Sequence, residues 1–295
     1  MAVTPSDVTV PGALEAVTGP SVGPRSRLRS GLGLWIPAGL VALIFFLCFV
    51  WPLIGPVGSP TGGNILEANL PIGSAGHVLG TDQVGNDEWA RLLYGGRASL
   101  EIALAVNALG IVVGGLLGAL AAYLGDWRDA VIMRVLDVFI AFPALVLAIA
   151  IAEGLGPSEV HTIWALSFFS VPAFARLARA ETLRIRELNF IAAAGLSGTG
   201  PVRTLVRHVM PNIVPQLMTF ALLGMGIIIV LEGALSFLGL GVPPPAPSWG
   251  NMISAGESVL SVTPRFVFIP SIALFVTVVS FNLLGDALRS RWSQR

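Results

Sequence analysis

Hydrophobic residues form long runs along this chain, separated by shorter segments that hold most of the charges. Six of these runs are long enough to cross about 30 Å of hydrocarbon as α-helices that rise about 1.5 Å per residue. They centre on residues 34–51, 100–122, 135–151, 160–175, 213–231 and 266–285. The pattern predicts an all-α polytopic membrane protein with six transmembrane helices.

Prolines and glycines modify this pattern. A seventh apolar stretch, residues 233–256, is interpreted as non-spanning because proline lacks a backbone donor and interrupts a helix. Its prolines are Pro243, Pro244, Pro245 and Pro247. Pro143 and Pro172 fall inside the third and fourth runs and predict bends there. Small residues at helical spacing in the second run predict a close contact with another helix, at Gly110, Gly114, Gly115 and Gly118.

The composition favours a bilayer over a soluble core. Hydrophobic residues make up 54% and charged residues 12% of the 295 residues, and the mean hydropathy is +0.81. Soluble domains carry about 25% charged residues. The single cysteine, Cys48, lies in an apolar run without a second cysteine to pair with, so we interpret it as a small buried hydrophobe.

The charged residues exclude several functions. All 17 basic residues are arginine. A chain without lysine can form neither a Walker A phosphate loop nor a Schiff base, so it is not an ordinary P-loop ATPase. The basic and acidic residues balance, which gives no basic surplus for binding nucleic acid.

The arginines also predict an orientation, because cytoplasmic flanks of membrane helices are enriched in basic residues. With the N-terminus inside, three arginines face outward, Arg91, Arg97 and Arg265. Fourteen face the cytoplasm: Arg25, Arg27, Arg29, Arg128, Arg134, Arg176, Arg179, Arg184, Arg186, Arg203, Arg207, Arg289, Arg291 and Arg295. We therefore predict that both termini are cytoplasmic.

Five segments follow from the spans and the charges. The first hydrophobic run is preceded by about thirty polar residues and followed by five more runs, so we interpret it as a retained anchor and not as a cleaved signal. The predicted segments are a flexible cytoplasmic tail (1–30), the anchor helix (31–54), an extracytoplasmic loop with an interfacial helix (55–98), a core of five helices with a cytoplasmic loop at 176–212 (99–288), and a cytoplasmic tail (289–295).

The external loop ends in a segment with helical spacing of Trp89, Leu92 and Leu93, which predicts a short amphipathic helix in the outer interface. Carboxylates at Asp82, Asp87 and Glu88 could ligate a hard cation. The alternating acids of a calcium loop are missing, however, and structural turns with an Asp87–Arg91 pair at i,i+4 spacing are the favoured interpretation.

The internal loop, residues 176–212, predicts a hairpin of two short helices. Residues 189–195 include four small residues, Gly198 and Gly200 tolerate a positive φ, and Pro201 suits the first turn of a helix. Such a hairpin outside the membrane offers a partner protein something to bind.

Specific motifs now indicate a family. The internal loop resembles the EAA loop of bacterial ABC importer permeases through three small residues, a glycine four positions later and a His-x-x-Pro-Asn close: Ala192, Ala193, Ala194, Gly198, His208, Pro211 and Asn212. The external segment resembles the C-type subunit of the dipeptide and oligopeptide branch at Gly80, Asp82, Gly85 and Asp87. Further matching segments begin at Tyr123, Asp137, Leu235, Pro247 and Asn282, so the resemblance covers about residues 77–290.

Two positions depart from the family pattern. Ala192 stands where glutamate is usual, so the acid that names the motif is absent, and a nearby Glu187 could compensate. Asn86 stands at a position that is commonly basic in the external motif. The first departure bears on any ion pair from residue 192 to an ATPase subunit.

The resemblance implies a type I ABC importer permease fold and a transport subunit, not an enzyme, that forms half of a translocation path for di- or oligopeptides. It implies no cofactor in this chain and ATP and Mg on partner subunits. The implied partners are a second, B-type permease, two ABC nucleotide-binding domains and an extracytoplasmic binding protein, all at the bacterial inner membrane. Coupling to the ATPase is assigned to Ala192, Ala193, Ala194, Gly198, Arg203, His208, Pro211 and Asn212.

Polar residues near the spans are candidates for a gate or pore, because charges in lipid are costly unless they face a cavity or a partner. We predict this role for Asp137, Glu232 and Asn282, with a structural role for Glu232 left open. Asp137 lies close to Arg134, so an ion pair between them is an equal alternative.

Two other classes of protein remain as alternatives. An ion-coupled secondary transporter would work without an ATPase, but it usually shows internal repeats, and none is convincing here. An intramembrane enzyme would need a catalytic constellation, whereas His77, His161 and His208 lie in separate segments and the H-E-x-x-H and G-x-S-x-G motifs are absent.

For an importer permease, nickel complexes and glutathione-like molecules are alternative substrates to peptides.

Overall fold

The computed structural model describes residues 24–292, with the side chains of residues 33–291. Every extended regular element in this range is helical. The α-helices are α1 Pro24–Phe45, α2 Trp51–Ile54, α3 Glu88–Leu109, α4 Gly115–Leu124, α5 Asp126–Ile140, α6 Ala144–Leu155, α7 Glu159–Arg186, α8 Asn189–Leu196, α9 Pro201–Thr204, α10 Met210–Phe237, α11 Trp249–Glu257 and α12 Arg265–Trp292. Single π-helical turns, Phe46–Val50, Gly110–Gly114 and Leu205–Val209, join α1 to α2, α3 to α4 and α9 to α10.

Five continuous helices are long and apolar enough to cross a membrane, which confirms a multi-pass α-helical protein. They are Gly33–Ile54, Glu88–Leu124, Glu159–Arg186, Pro201–Phe237 and Arg265–Arg291. The sixth candidate is a pair, α5 and α6, which meet at an angle of 81°. The bend predicted at Pro143 is therefore confirmed: Pro143 restricts the residue before it and ends the helical path at residues 141–143, so the third span is a bent pair of helices.

Several predicted boundaries also change. Residues 24–30 of the tail predicted for residues 1–30 are helical and belong to α1, and residues 1–23 lie outside the described range. Likewise α12 extends through residues 289–292 of the tail predicted for residues 289–295, and residues 293–295 also lie outside that range. The loop predicted for residues 176–212 is mostly helix, because only residues 187–188 and 197–200 lie outside α7, α8 and the helix from Pro201.

The interfacial helix predicted before residue 98 is not a separate element. Residues 88–98 form the first turns of the second span, which continues without a break to Leu124. Gly95 and Gly96 lie within this helix and allow neighbouring groups to approach it closely: a Cβ on Gly96 would lie 2.5 Å from the Trp249 ring.

The close helix contact predicted from the glycines is confirmed, and its partner is α7. A Cβ on Gly110 would meet Ser170 and Phe174, and a Cβ on Gly114 or Gly118 would meet the α7 backbone at Val171 or Ala175. Pro172 lies inside this stretch of α7, which remains one helix across it. The second and fourth spans are thus packed backbone to backbone.

The bundle has two ends that differ in charge. At the loop end, which contains residues 55–87, Arg91 donates to the Pro60 carbonyl oxygen and Arg265 to that of Leu70. At the hairpin end, which contains α8 and residues 197–200, Arg186 donates to the carbonyl oxygen of Ala122. The other arginines whose side chains are described, apart from Arg97, lie at or near this hairpin end.

Candidate functional site

The hairpin end is built around a tight turn after α8. The Ser197 and Thr199 amides donate to the carbonyl oxygens of Ala193 and Ala194, and Gly198 has φ +76°. This is the Schellman arrangement, in which a left-handed residue just past the helix satisfies its last carbonyl groups. Gly198 therefore uses the freedom predicted for it, whereas Gly200 has φ −66° and does not.

The second arm of the hairpin differs from the prediction of a short helix. Pro201 begins α9, as predicted, but the helix continues through a π turn into α10 and reaches Phe237. The first arm, α8, is separated from α7 by only two residues, Glu187 and Leu188. The hairpin is thus joined directly to two membrane spans.

Apolar side chains cover the tip of the hairpin. The exposed fractions are 92% for Leu196, 74% for Val202 and 61% for Val206. Val202 and Val206 line a shallow groove together with Arg203, Arg207 and Pro211. Exposed apolar surface rimmed by charge is typical of a site of interaction with another protein or with a membrane.

The predicted coupling residues lie on this hairpin and the start of the following helix. Ala192, Ala193, Gly198 and Arg203 are exposed, as are Pro211 and Asn212, while Ala194 and His208 are half-buried. Asn212 Nδ2 donates to the His208 carbonyl oxygen over 2.6 Å. Their role in coupling stays a prediction, and so does compensation by the exposed Glu187.

Ion pairs fasten α7 to α5 beside the hairpin. Arg179 forms two hydrogen bonds with Asp129, of 2.7 and 2.6 Å, and Arg176 Nη2 donates to Asp137 Oδ1 over 2.7 Å. The predicted Asp137–Arg134 pair is wrong: Asp137 pairs across to α7, not with a residue of its own helix. Together these contacts connect the hairpin to the broken span.

The external motif forms a closed set of turns at the loop end. Gly80 and Gly85 have φ +79° and +82°, which favours glycine at both positions. Asp82 Oδ1 accepts from the amides of Val84 and Asn86, both over 2.9 Å, and Asp82 Oδ2 accepts from Asn86 Nδ2. The carboxylate of Asp82 is thus engaged in holding the turn.

Asp87 is the N-cap of α3, not a partner of Arg91. Its Oδ1 accepts from the Ala90 amide, and its Oδ2 lies 2.6 Å from His77 Nδ1. An N-cap side chain turns toward the first amides of its helix, which carries it away from the residue four positions later. The predicted Asp87–Arg91 pair is therefore wrong, and Arg91 instead lies 3.4 Å from Asp82.

The proline-rich segment returns the chain to the external motif. Ser248 and Asn251 form a capping box at the start of α11, and Trp249 Nε1 donates to the carbonyl oxygen of Leu92 on α3. Gln83 of the external loop donates to the Ala255 carbonyl oxygen. The two segments are more than 150 residues apart in sequence, so sequence reasoning missed their contact.

The three candidate gate residues do not come together. Glu232 is fully buried near the loop end, where its Oε1 accepts from Ser236, whose hydroxyl oxygen accepts from the Val242 amide. Asn282 is exposed on α12 and lies against Gly226 of α10. Asp137 belongs to the ion pairs at the other end. Their positions favour a structural role for Glu232, which anchors the segment after α10.

Comparison with known proteins identifies several relatives. A glutathione transport system permease protein, GsiD, of Pectobacterium atrosepticum is 41% identical over 216 residues, which cover 73% of this chain and 72% of that protein. A dipeptide transport system permease protein, DppC, of Alkalihalophilus pseudofirmus is 38% identical over 216 residues, covering 73% and 71%. GsiD of Escherichia coli O6:K15:H31 is 40% identical over 213 residues, covering 72% and 70%.

A family assignment follows from these relatives and from a profile match. Residues 110–295 match the family described as binding-protein-dependent transport system inner membrane component. Proteins of this family are the membrane translocation subunits of ABC importers, which transport a solute and are not themselves enzymes. The chain belongs to the family of binding-protein-dependent transport system inner membrane components.

Proposed function

We propose that this chain forms half of a translocation path for peptide-class solutes, namely di- and oligopeptides or glutathione. The relatives support this substrate class, because their names specify glutathione and dipeptide transport. The other half of the path is a second, B-type permease, so the membrane part is a heterodimer. A binding protein outside the membrane delivers the solute.

The hairpin is the surface through which ATPase subunits drive the transport cycle. The observation that carries this proposal is the exposed apolar tip at Leu196, Val202 and Val206, on either side of the hydrogen-bonded turn at Gly198. Coupling between sites requires an element that both sites can bias. The hairpin meets this requirement because it continues into the helices on either side.

The distribution of arginines supports an orientation of the chain in the membrane. The arginine-rich hairpin end lies in the cytoplasm of a bacterial cell and the loop end lies outside its inner membrane, in agreement with the arginine distribution. Two ABC nucleotide-binding domains then bind the hairpins from the cytoplasm and carry the ATP and Mg. Residue 192 is alanine and cannot form an ion pair with the ATPase subunit. Apolar contact between the hairpin tip and that subunit replaces such a pair.

Reconstitution tests this function directly. In proteoliposomes that hold this chain, the second permease and the ATPase subunits, we expect ATP-dependent uptake of labelled dipeptide or glutathione when the loaded binding protein is added. Uptake driven by an ion gradient through this chain alone would contradict the proposal. ATP-dependent transport of a solute other than a peptide would support the importer function and contradict the proposed substrate class.

Substitution of Gly198 tests the coupling role of the hairpin. A Gly198→Val variant is expected to lose uptake by about tenfold or more, because a non-glycine residue in the left-handed region costs about 1–2 kcal/mol and valine is β-branched. Stimulation of ATP hydrolysis by the loaded binding protein should fall with it. Both activities are measured on the reconstituted complex.

The matched control is Gly200→Ala. Gly200 lies two residues away, has φ −66° and has no atom within 4 Å of an added Cβ. The Gly200→Ala variant should therefore retain uptake and ATPase stimulation. The Gly198→Asn variant should also retain both, since asparagine tolerates the left-handed region. Normal uptake by Gly198→Val would refute the role of this turn.

A further inference from the structure

Two distant segments enclose a cavity at the loop end. The external motif supplies one side and the segment from Pro244 to Gly256 the other, tied together by the hydrogen bond from Gln83 to Ala255. Its volume is about 340 Å³. This lies within the range of roughly 300–1,000 Å³ that is typical of sites for small molecules.

The cavity is lined by apolar side chains together with the polar residues Asp82, Gln83, Asn86, Arg91 and Asn251 and one unpaired acid, Glu88. Val84, Pro244, Pro245, Met252 and Phe266 contribute apolar surface. Glu88 also lines the cavity, and only 3% of its surface is exposed. Within the part of the chain that the structure describes, neither a hydrogen bond nor an ion pair reaches the Glu88 carboxylate. Apolar walls with a few convergent polar groups are the usual character of a ligand site.

The neighbouring charges are already engaged. Asp82 pairs with Arg91, and Asp87 pairs with His77. Arg265 directs its guanidinium to the backbone carbonyl oxygens of the external loop, with its shortest hydrogen bond, 2.6 Å, to Leu70. Within this cluster, the Glu88 carboxylate is therefore available to accept hydrogen bonds from a ligand.

The position of Glu88 at the start of the helix offsets part of the cost of burying a negative charge. It is the first residue of α3, where the helix dipole stabilises a negative charge. The Ala90 amide of this first turn is already taken by Asp87. A buried carboxylate without a hydrogen-bond partner is costly, and a cationic donor entering the cavity would remove that cost.

We propose that this cavity binds the α-ammonium group of the transported solute at the Glu88 carboxylate, with the apolar walls holding the adjoining side chain. The proposal rests on the peptide-class substrate proposed above, since dipeptides and glutathione share an α-ammonium group. The cavity is an entry subsite on the permease, occupied after the solute leaves its binding protein. It makes Glu88 a specificity-determining residue for solutes with a free amino group.

The test measures binding to the assembled complex of permease and ATPase subunits in nanodiscs, without the binding protein, so that the binding protein cannot select the ligand. The probes are the dipeptide Ala-Ala and its N-acetylated form, titrated at millimolar concentrations by calorimetry or saturation-transfer NMR. Ala-Ala is expected to bind the unaltered complex in preference to N-acetyl-Ala-Ala. Glu88→Gln should weaken Ala-Ala binding about tenfold or more, through loss of a charge-assisted hydrogen bond.

Two further variants separate charge from packing. Glu88→Asp keeps the charge and should retain the preference for the free amine. Glu101→Gln is the matched control, because Glu101 lies on the same helix but is exposed and paired with Arg97. It should leave binding unchanged. All variants are compared as assembled complexes with intact basal ATP hydrolysis.

Several outcomes would overturn the proposal. Equal binding of both dipeptides, no binding of either, or unchanged Ala-Ala binding by Glu88→Gln would each do so. A loss of binding-protein affinity in Glu88→Gln with Ala-Ala binding unchanged would assign the cavity to a side chain of the docked protein instead. If the unaltered complex transports peptide from its binding protein but fails these tests, the proposed function stands and only the subsite is wrong.

Discussion

Replacing Gly118 with valine is expected to prevent the protein from folding into its membrane bundle. A Cβ at this position would overlap the Ala175 carbonyl oxygen and lie 2.9 Å from the Ala175 Cα. Overpacking costs about 1–3 kcal/mol where side chains can move aside, and more where the obstacle is backbone. The second and fourth spans would have to separate, and the contacts of Phe174 beside them would be lost.

The measurement is the yield of monodisperse protein in detergent and its thermal unfolding temperature. Gly39→Val is the matched control, since Gly39 also lies in a membrane helix but has no atom within 4 Å of an added Cβ. It should give the yield of the unaltered chain. A stable Gly118→Val protein would show that α4 and α7 do not approach as closely as the structure has them.

This helix contact shows how far the sequence could be followed. The spacing of Gly110, Gly114 and Gly118 predicts that another helix comes close, because small residues at intervals of four form a flat helix face. The spacing says nothing about which helix faces it. The partner stretch on α7, at residues 170–175, contains a proline, a phenylalanine and no glycine, so it gave no pattern of its own.

The hydrophobicity of a run also does not show whether the chain changes direction within it. The third run of hydrophobic residues has the length and hydropathy of one span, yet the chain turns by 81° within it. Pro143 predicts a bend, but the spacing of hydrophobic residues does not give its size, and in the structure both α5 and α6 pack against α7. Similarly, the i,i+4 rule assumes that both residues lie within the helix, and Asp87 lies at its N-cap.

Contacts between distant segments were beyond sequence reasoning. The external motif and the proline-rich segment were each recognised, but nothing in either predicts that Gln83 reaches Ala255 or that Trp249 reaches Leu92. From the sequence, Glu88 is a candidate cation ligand beside Asp82 and Asp87. In the structure, Asp82 pairs with Arg91 and Asp87 pairs with His77, whereas Glu88 lines the cavity.

Reversing the charge of Asp129 is expected to abolish transport, and reversing Arg179 as well is expected to restore much of it. Asp129 and Arg179 form a paired ion contact between α5 and α7, a few turns from the hairpin. Asp129→Arg would place two guanidinium groups against each other, with Arg186 also at this end of the bundle. The double variant Asp129→Arg with Arg179→Asp again puts opposite charges in contact.

The readout is the ratio of peptide uptake to ATP hydrolysis in the reconstituted complex. If the pair transmits hairpin movement to the broken span, Asp129→Arg should keep basal hydrolysis while uptake falls about tenfold or more, and the double variant should recover uptake. The control reverses Glu181 and Arg184, which pair within α7 and do not join two helices. Each of those single variants should change uptake little, because an exposed pair within one helix contributes little. Equal losses in the Asp129→Arg single variant and the double variant would show that the contact between α5 and α7 is not what couples them.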